Sequence, residues 1–175
     1  MGLGARADRL GGAFVPTSTS YLRLNYYPVA DPLAGEGADG GDLGIHHHTD
    51  AGAVTVLLQD EVPGLQVYRD GAWYGVEPRD DAFVINIGDM VQVWSNDIYR
   101  APIHRVLAME NADRYSFAFF SNPAYEAEIA PLAETVSPQR PARYRGFSWG
   151  EFRRKRADGD FADYGTEVQI SDYRA

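Results

Sequence analysis

Apolar and polar residues alternate along much of the first two thirds of the chain, in short runs separated by turn residues. "YLRLNYYP", "LGIHHHTD", "AVTVLLQD", "LQVYRD", "AWYGVEP", "AFVINIG", "VQVWSN", "APIHRVL" and "RYSFAFFSNP" are each rich in β-branched or aromatic side chains. Gly, Pro, Asn or Asp bounds every one of them, so each predicts a strand. Asp70-Gly71 between two such runs is a two-residue hairpin signal. Many short strands at even spacing predict a mostly β architecture, an antiparallel barrel or sandwich. "VADPLAGEGADGGD", Val29 to Asp42, is an acidic glycine-rich loop with nothing to bury, and a mobile segment is expected there. After Pro123 the texture changes. "SWGEFRRKRADGDFADYG" predicts a helix that starts near Ser148 and ends in turn residues, within a C-terminal helical and loop appendage over 124–175. Its basic run Arg153 to Arg156 reads as one solvated helix face.

Composition narrows the function classes. At 175 residues, 45% of them apolar, the chain can bury one core. A net charge of −9 argues against nucleic acid or an anionic membrane as the main partner. No run approaches the roughly 20 apolar residues of a membrane span, and the first residues lack the apolar core of a secretion signal. With no cysteine, neither disulfides nor thiolate metal sites can form. A cytoplasmic protein is expected. The dominance of Arg over Lys155, the only lysine, together with abundant Ala, Gly and Asp, suggests a GC-rich bacterial source.

Three of the four histidines stand together in "GIHHHTDAG". In a strand, alternate residues share a face, so His46, His48 and Asp50 point one way and His47 and Thr49 the other. His48 alone has a carboxylate two residues on. His104 in "APIHRVL" is the one histidine left to complete a set of two imidazoles and one carboxylate. That set is the facial triad of non-haem Fe(II) sites, with zinc the competing ion. Downstream, Arg114 and Ser116 share one face of a strand that has no acidic residue on that side. An arginine in a barrel interior is costly unless paired, and its partner is either a distant Asp or Glu or the carboxylate of a ligand. Arg23, Asn25 and Tyr27 alternate onto one face of "LRLNYYP" with polar tips that also suit an anion.

In order along the chain, "LRLNYYP", "HTDAGAVTVLLQD", "PGLQV", "INIGDMVQVWSND", "HRVL" and "RYSFAFFSNP" resemble the isopenicillin N synthase-like branch of the 2-oxoglutarate/Fe(II)-dependent dioxygenases. The resemblance covers about a hundred residues and implies a double-stranded β-helix (jelly roll, cupin-like) core over 20–123. It implies Fe(II) held by His48, Asp50 and His104, and 2-oxoglutarate held by Arg114 and Ser116 with help from Asn25 and Tyr27. Phe120 matches an aromatic position that lines the substrate pocket in some relatives, and His46 either touches substrate or supports a ligand from behind. The implied activity is oxidation, most simply hydroxylation, of a small organic substrate, with O2 consumed, succinate and CO2 released, and ascorbate stimulating. Desaturation or ring formation would use the same site. Two other readings are an oxidase of this fold that needs no 2-oxoglutarate and a truncated, non-catalytic metal-binding relic. Residues 1–19 resemble the tail of the helical N-terminal region usual in this branch, the rest of which is absent here. A barrel without that cover is expected to expose apolar surface and to favour a homodimer or a covering partner.

Overall fold

The computed structural model describes residues 2–29, 43–162 and 168–175, with the side chains of 157–162 excepted. The expected acidic loop and the turn residues that close the C-terminal helix therefore lie largely outside the described residues. Within them, eight strands pair into two four-stranded antiparallel sheets. β1 (Tyr21–Tyr27), β2 (Leu43–His48), β3 (Val54–Gln59), β4 (Leu65–Arg69), β5 (Ala72–Gly75), β6 (Val84–Ile87), β7 (His104–Leu107) and β8 (Arg114–Ser121) follow in chain order. One sheet runs β1-β8-β3-β6 and the other β2-β7-β4-β5. The chain passes back and forth between the two sheets, which is the winding of a double-stranded β-helix. Asp70 and Gly71 both adopt positive φ between β4 and β5, as the two-residue hairpin predicts.

The alternation works as expected along β8, where Arg114, Ser116 and Ala118 are buried while Tyr115, Phe117 and Phe119 are exposed. The outward residues do not meet water singly. Leu22, Leu24 and Tyr26 of β1 lie opposite Phe119, Phe117 and Tyr115 of β8, and Leu58 of β3 lies opposite Phe117. These seven are all exposed and make a continuous apolar ladder on the outer face of this sheet.

Two expectations need correction. "VQVWSN" is not a strand; Asp89–Trp94 forms a short helix, α1. A short apolar run fits either period, and here the helix wins because Met90, Val93 and Trp94, at i, i+3 and i+4, all enter the larger apolar core. Gly88, just before it, approaches the chain so closely that a Cβ would lie 2.2 Å from the Gly52 carbonyl oxygen. The basic run is also not a uniformly solvated face. In α2 (Trp149–Ala162), Arg154 and Lys155 are exposed, but Arg156 is buried and pairs with Asp89 at 3.1 Å.

The larger core lies outside the barrel. Met90, Val93 and Trp94 of α1 pack with Ile129, Leu132, Tyr144, Phe147, Trp149, Phe152 and Tyr173 from the chain after residue 123. Among the described residues, no helix is long and apolar enough to cross a membrane.

Candidate metal and anion site

His48 ends β2 and His104 begins β7, and the two are direct register partners. Their rings sit 4.3 Å apart at a tilt of 51°. Asp50 follows two residues after His48, and its Oδ1 lies 3.8 Å from His48 Nε2 and 3.6 Å from His104 Nε2. One ligand atom from each of the three fits within a 4.8 Å span, close enough to grip one ion.

The surroundings fix which atoms face inward. His48 Nδ1 lies 2.7 Å from the carbonyl of His46, and His104 Nδ1 lies 3.2 Å from that of Pro102. A carbonyl can only accept, so each Nδ1 carries the proton and each Nε2 offers a lone pair. Burial, and then the neighbouring His104, lowers the His48 pKa and favours the neutral imidazole that binds metal. Asp50 Oδ2 accepts hydrogen bonds from Thr55 Oγ1 and Asn86 Nδ2, both at 2.6 Å, which leaves Oδ1 turned toward the imidazoles. Backbone bonds from Asp89 N–H to the Asp50 carbonyl and from Met90 N–H to that of Gly52 tie this turn to the start of α1. From the other side, Arg156 donates to the Thr49 carbonyl at 3.1 Å.

A second group of polar side chains stands deeper between the sheets. Arg114 is 1% exposed. Its Nη2 donates to Gln59 Oε1 at 2.8 Å and its Nε to the Val62 carbonyl at 3.2 Å. Its guanidinium lies 5.1 Å from the Tyr27 ring. Nη1 is buried with no hydrogen-bond partner in the protein. Ser116, one step along the same face, receives a bond from Asn25 Nδ2 at 3.2 Å. The salt bridge that would explain Arg114 structurally is absent among the described residues. A buried, charged N–H without an acceptor costs several kcal/mol unless an anion reaches it. Arg114, Ser116, Asn25, Tyr27, His48, Asp50, His104 and Phe120 all line one cavity, whose remaining walls are mostly aliphatic.

Residues 18–123 match the model of the 2OG-Fe(II) oxygenase superfamily. The chain belongs to that superfamily. Among relatives of this oxygenase-family chain, gibberellin 2-beta-dioxygenase 6 of Oryza sativa subsp. japonica is 41% identical over 154 residues, covering 88% of this chain and 40% of that protein. The crystal structure of JOX2 in complex with 2OG, Fe and JA superimposes with a TM-score of 0.77 at 38% identity, over 87% of this chain and 44% of that one. The crystal structure of the dioxygenase for auxin oxidation in rice gives 0.74 at 30% identity, over 89% of this chain and 51% of that one. The chain thus spans about half the length, or less, of each of these proteins. Plant relatives such as the rice proteins lend a bacterial source no support.

Every candidate site residue of this oxygenase-family chain borders the barrel mouth or interior, whereas His47 lines neither cavity there, as alternation expects. His46 lines the outer cavity beside His48 and is itself exposed. Strict alternation would not place Ile45 in the same cavity as His48. A β-bulge between them shifts the register and brings both inward. Sequence reasoning misses Thr55 and Asn86, which hold Asp50. The available signal is a polar residue on the same strand face as Leu57 in "VTVLLQ" and Val84 in "VINI". Gln59, which holds Arg114, carries that same signal two residues after Leu57, whereas the Val62 carbonyl, its other partner, carries none.

Proposed function

We propose that this chain is the catalytic core of an Fe(II)- and 2-oxoglutarate-dependent oxygenase that oxidises, most simply hydroxylates, a small organic substrate. The buried Arg114 Nη1 without a partner, on the wall of the same cavity as the two imidazoles and Asp50, carries this reading. His48, Asp50 and His104 would hold the metal through two Nε2 atoms and one carboxylate oxygen, a donor set that suits Fe(II) and leaves neighbouring positions free. Arg114, with Ser116 and Asn25, would take the far carboxylate of 2-oxoglutarate through a charge-assisted pair, and the Tyr27 ring would support the guanidinium. Fe(II) with 2-oxoglutarate and O2 supplies the oxidising power, with succinate and CO2 as co-products. The protein's own part is orientation. Thr55 and Asn86 hold the Asp50 carboxylate, the His46 and Pro102 carbonyls fix the imidazole tautomers, and the aliphatic walls keep water from the cavity. Residues 20–123 make up this core in the proposal.

The test is succinate formation from 2-oxoglutarate with Fe(II), ascorbate and a panel of small organic acids, alcohols and heterocycles. Wild type should form succinate and His48→Ala should not. Arg114→Ala should raise the 2-oxoglutarate concentration needed by about a hundredfold, as expected for a lost buried charge pair, and should change iron affinity by no more than about twofold. Equal effects on both ligands would remove Arg114 from its role. Substrate oxidation that proceeds without 2-oxoglutarate would replace the reading with that of an oxidase, and a folded protein that binds no iron would end it.

A further inference from the structure

The two imidazoles of the metal cluster have unequal support. His48 ends β2 with the strand behind it, whereas His104 is the first residue of β7. Residues 100–103, which lead into it, form no regular element, yet the Pro102 carbonyl fixes the His104 proton on Nδ1. That carbonyl keeps its direction only if the irregular segment is itself held. On one side the Tyr68 N–H donates to the Ile103 carbonyl at 2.8 Å. On the other the Ala101 N–H donates to Gln92 Oε1, also at 2.8 Å. Few rotations separate the Ala101 N–H from the Pro102 carbonyl, because the proline ring locks its own φ and restricts the residue before it. Gln92 therefore grips a short, stiff lever that ends on a metal ligand.

A side-chain amide can face either way, and its neighbours decide which. Gln92 is buried on α1, and its Nε2 donates to the Tyr144 hydroxyl at 2.8 Å. Tyr144 in turn donates to Asp97 Oδ1, and the same carboxylate accepts from Arg143 and Arg174. Burial, and then Asp97, pushes the Tyr144 pKa up to about 12, so its proton stays on the oxygen. With that proton committed to Asp97, the Tyr144 oxygen accepts from Gln92, which turns Oε1 toward Ala101. Donors thus run one way from Ala101 through Gln92 and Tyr144 to a buried carboxylate, an arrangement in which each bond strengthens the next.

Resting on the metal site proposed above, we propose that Gln92 is a positioning residue for His104. With Tyr144 and Asp97 behind it, Gln92 holds the segment before β7 so that the Pro102 carbonyl keeps the imidazole in the tautomer and orientation that bind the ion. Neither Gln92, Tyr144 nor Asp97 lines the cavity of the metal cluster, so their influence on the ion runs through His104.

The experiment uses the full chain, isotope-labelled and loaded with Zn(II). Proton–nitrogen correlation spectra of the imidazoles report the tautomer and the Nδ1–H exchange rate of each of the four histidines, and chelator competition gives the Zn(II) affinity. Gln92→Met keeps the length of the side chain and removes both polar ends. In that variant the His104 Nδ1–H should exchange about tenfold faster while that of His48 is unchanged, and Zn(II) affinity should fall about tenfold or more. Tyr144→Phe frees the Gln92 amide to turn and should give the same one-sided pattern at about threefold. Phe147→Leu, in the apolar core off this path, should leave both imidazoles as in wild type. If Gln92→Met does not fold, Tyr144→Phe decides alone. An unchanged His104 signal in the folded variants would overturn the proposal. So would equal changes at His48 and His104 in step with lost stability, or the one-sided pattern appearing in Phe147→Leu. A wild type that binds no Zn(II) would instead overturn the metal site itself, and this inference with it.

Discussion

The interior of the barrel and the apolar core beside it are built on opposite principles. Between the two sheets only Tyr27, Leu65, Val106 and Met109 form a buried apolar cluster among the described residues. The rest of that interior is given to Arg114, Ser116, Asp50 and the walls of a cavity. Beside the barrel, α1 and the chain after residue 123 close a dense cluster around Trp149 and Phe152, with ring contacts joining Phe147, Phe152 and Tyr173. A protein that keeps charge and open volume in one region needs its packing elsewhere, because unfilled space forfeits dispersion and transfer energy. The division is not complete. Arg156 spans it, rooted in α2 and bonded both to Asp89 and to the turn between His48 and Asp50.

The contrast makes its strongest demand at Phe147. Phe147→Ala should cost about 3–5 kcal/mol and lower the melting temperature sharply, as for other buried aromatic truncations. Phe147→Leu should keep enough folded protein to show that Mn(II) affinity is unmoved. A loss of metal affinity in proportion to the loss of stability would merge the two regions into one. A smaller and opposite pattern is expected at Thr55→Val, which removes one of the two hydrogen bonds to Asp50 Oδ2 while preserving shape. Metal affinity should fall roughly 10–100-fold, the usual effect of losing a group that orients a ligand, with little change in melting temperature. Calorimetry beside thermal unfolding reads both, and a dominant effect on unfolding would show that Thr55 serves the fold instead.

The mildest effect is expected at Asp97, just after α1, where it meets side chains of the C-terminal region. Burial alone would raise its carboxyl pKa. Hydrogen bonds donated by Arg174, Tyr144 and Arg143 outweigh burial and hold it below the ordinary carboxylate range. The Tyr144 hydroxyl is pushed up to about 12, by burial first and by Asp97 second, so it stays a donor. A depressed pKa in the fold adds stability above the ordinary carboxylate pKa, and that stability is lost as pH falls below about 4. The gap in melting temperature between wild type and Asp97→Asn should therefore be widest near neutrality and shrink on acidification. A gap that stays constant with pH would assign Asp97 a packing role only.

Much of the barrel is legible because strand period and turn chemistry are local. "RYSFAFFS" places Arg114 and Ser116 inward by alternation alone, and His48-x-Asp50 pairs two candidate ligands at one strand end. α1 escapes such reading because Val91 and Val93 alternate in sequence, whereas the helix is decided by what Met90, Val93 and Trp94 pack against. The partners of the site are hidden for the same reason. Asn86 reaches Asp50 and Gln59 reaches Arg114 only after the strands have found their register.

The amino-acid order by itself determined which side chains could serve as ligands and which faces of the strands they occupy, since both follow from residue chemistry and a two-residue period. Tertiary structure alone decided that His104 meets His48 across a strand pair, that a bulge turns Ile45 inward, and that Arg156 leaves the solvated run for Asp89. It also decided that Arg114 Nη1 is left without an acceptor. Each of these depends on pairings between distant segments, whose energies are set by burial and geometry that no local pattern carries.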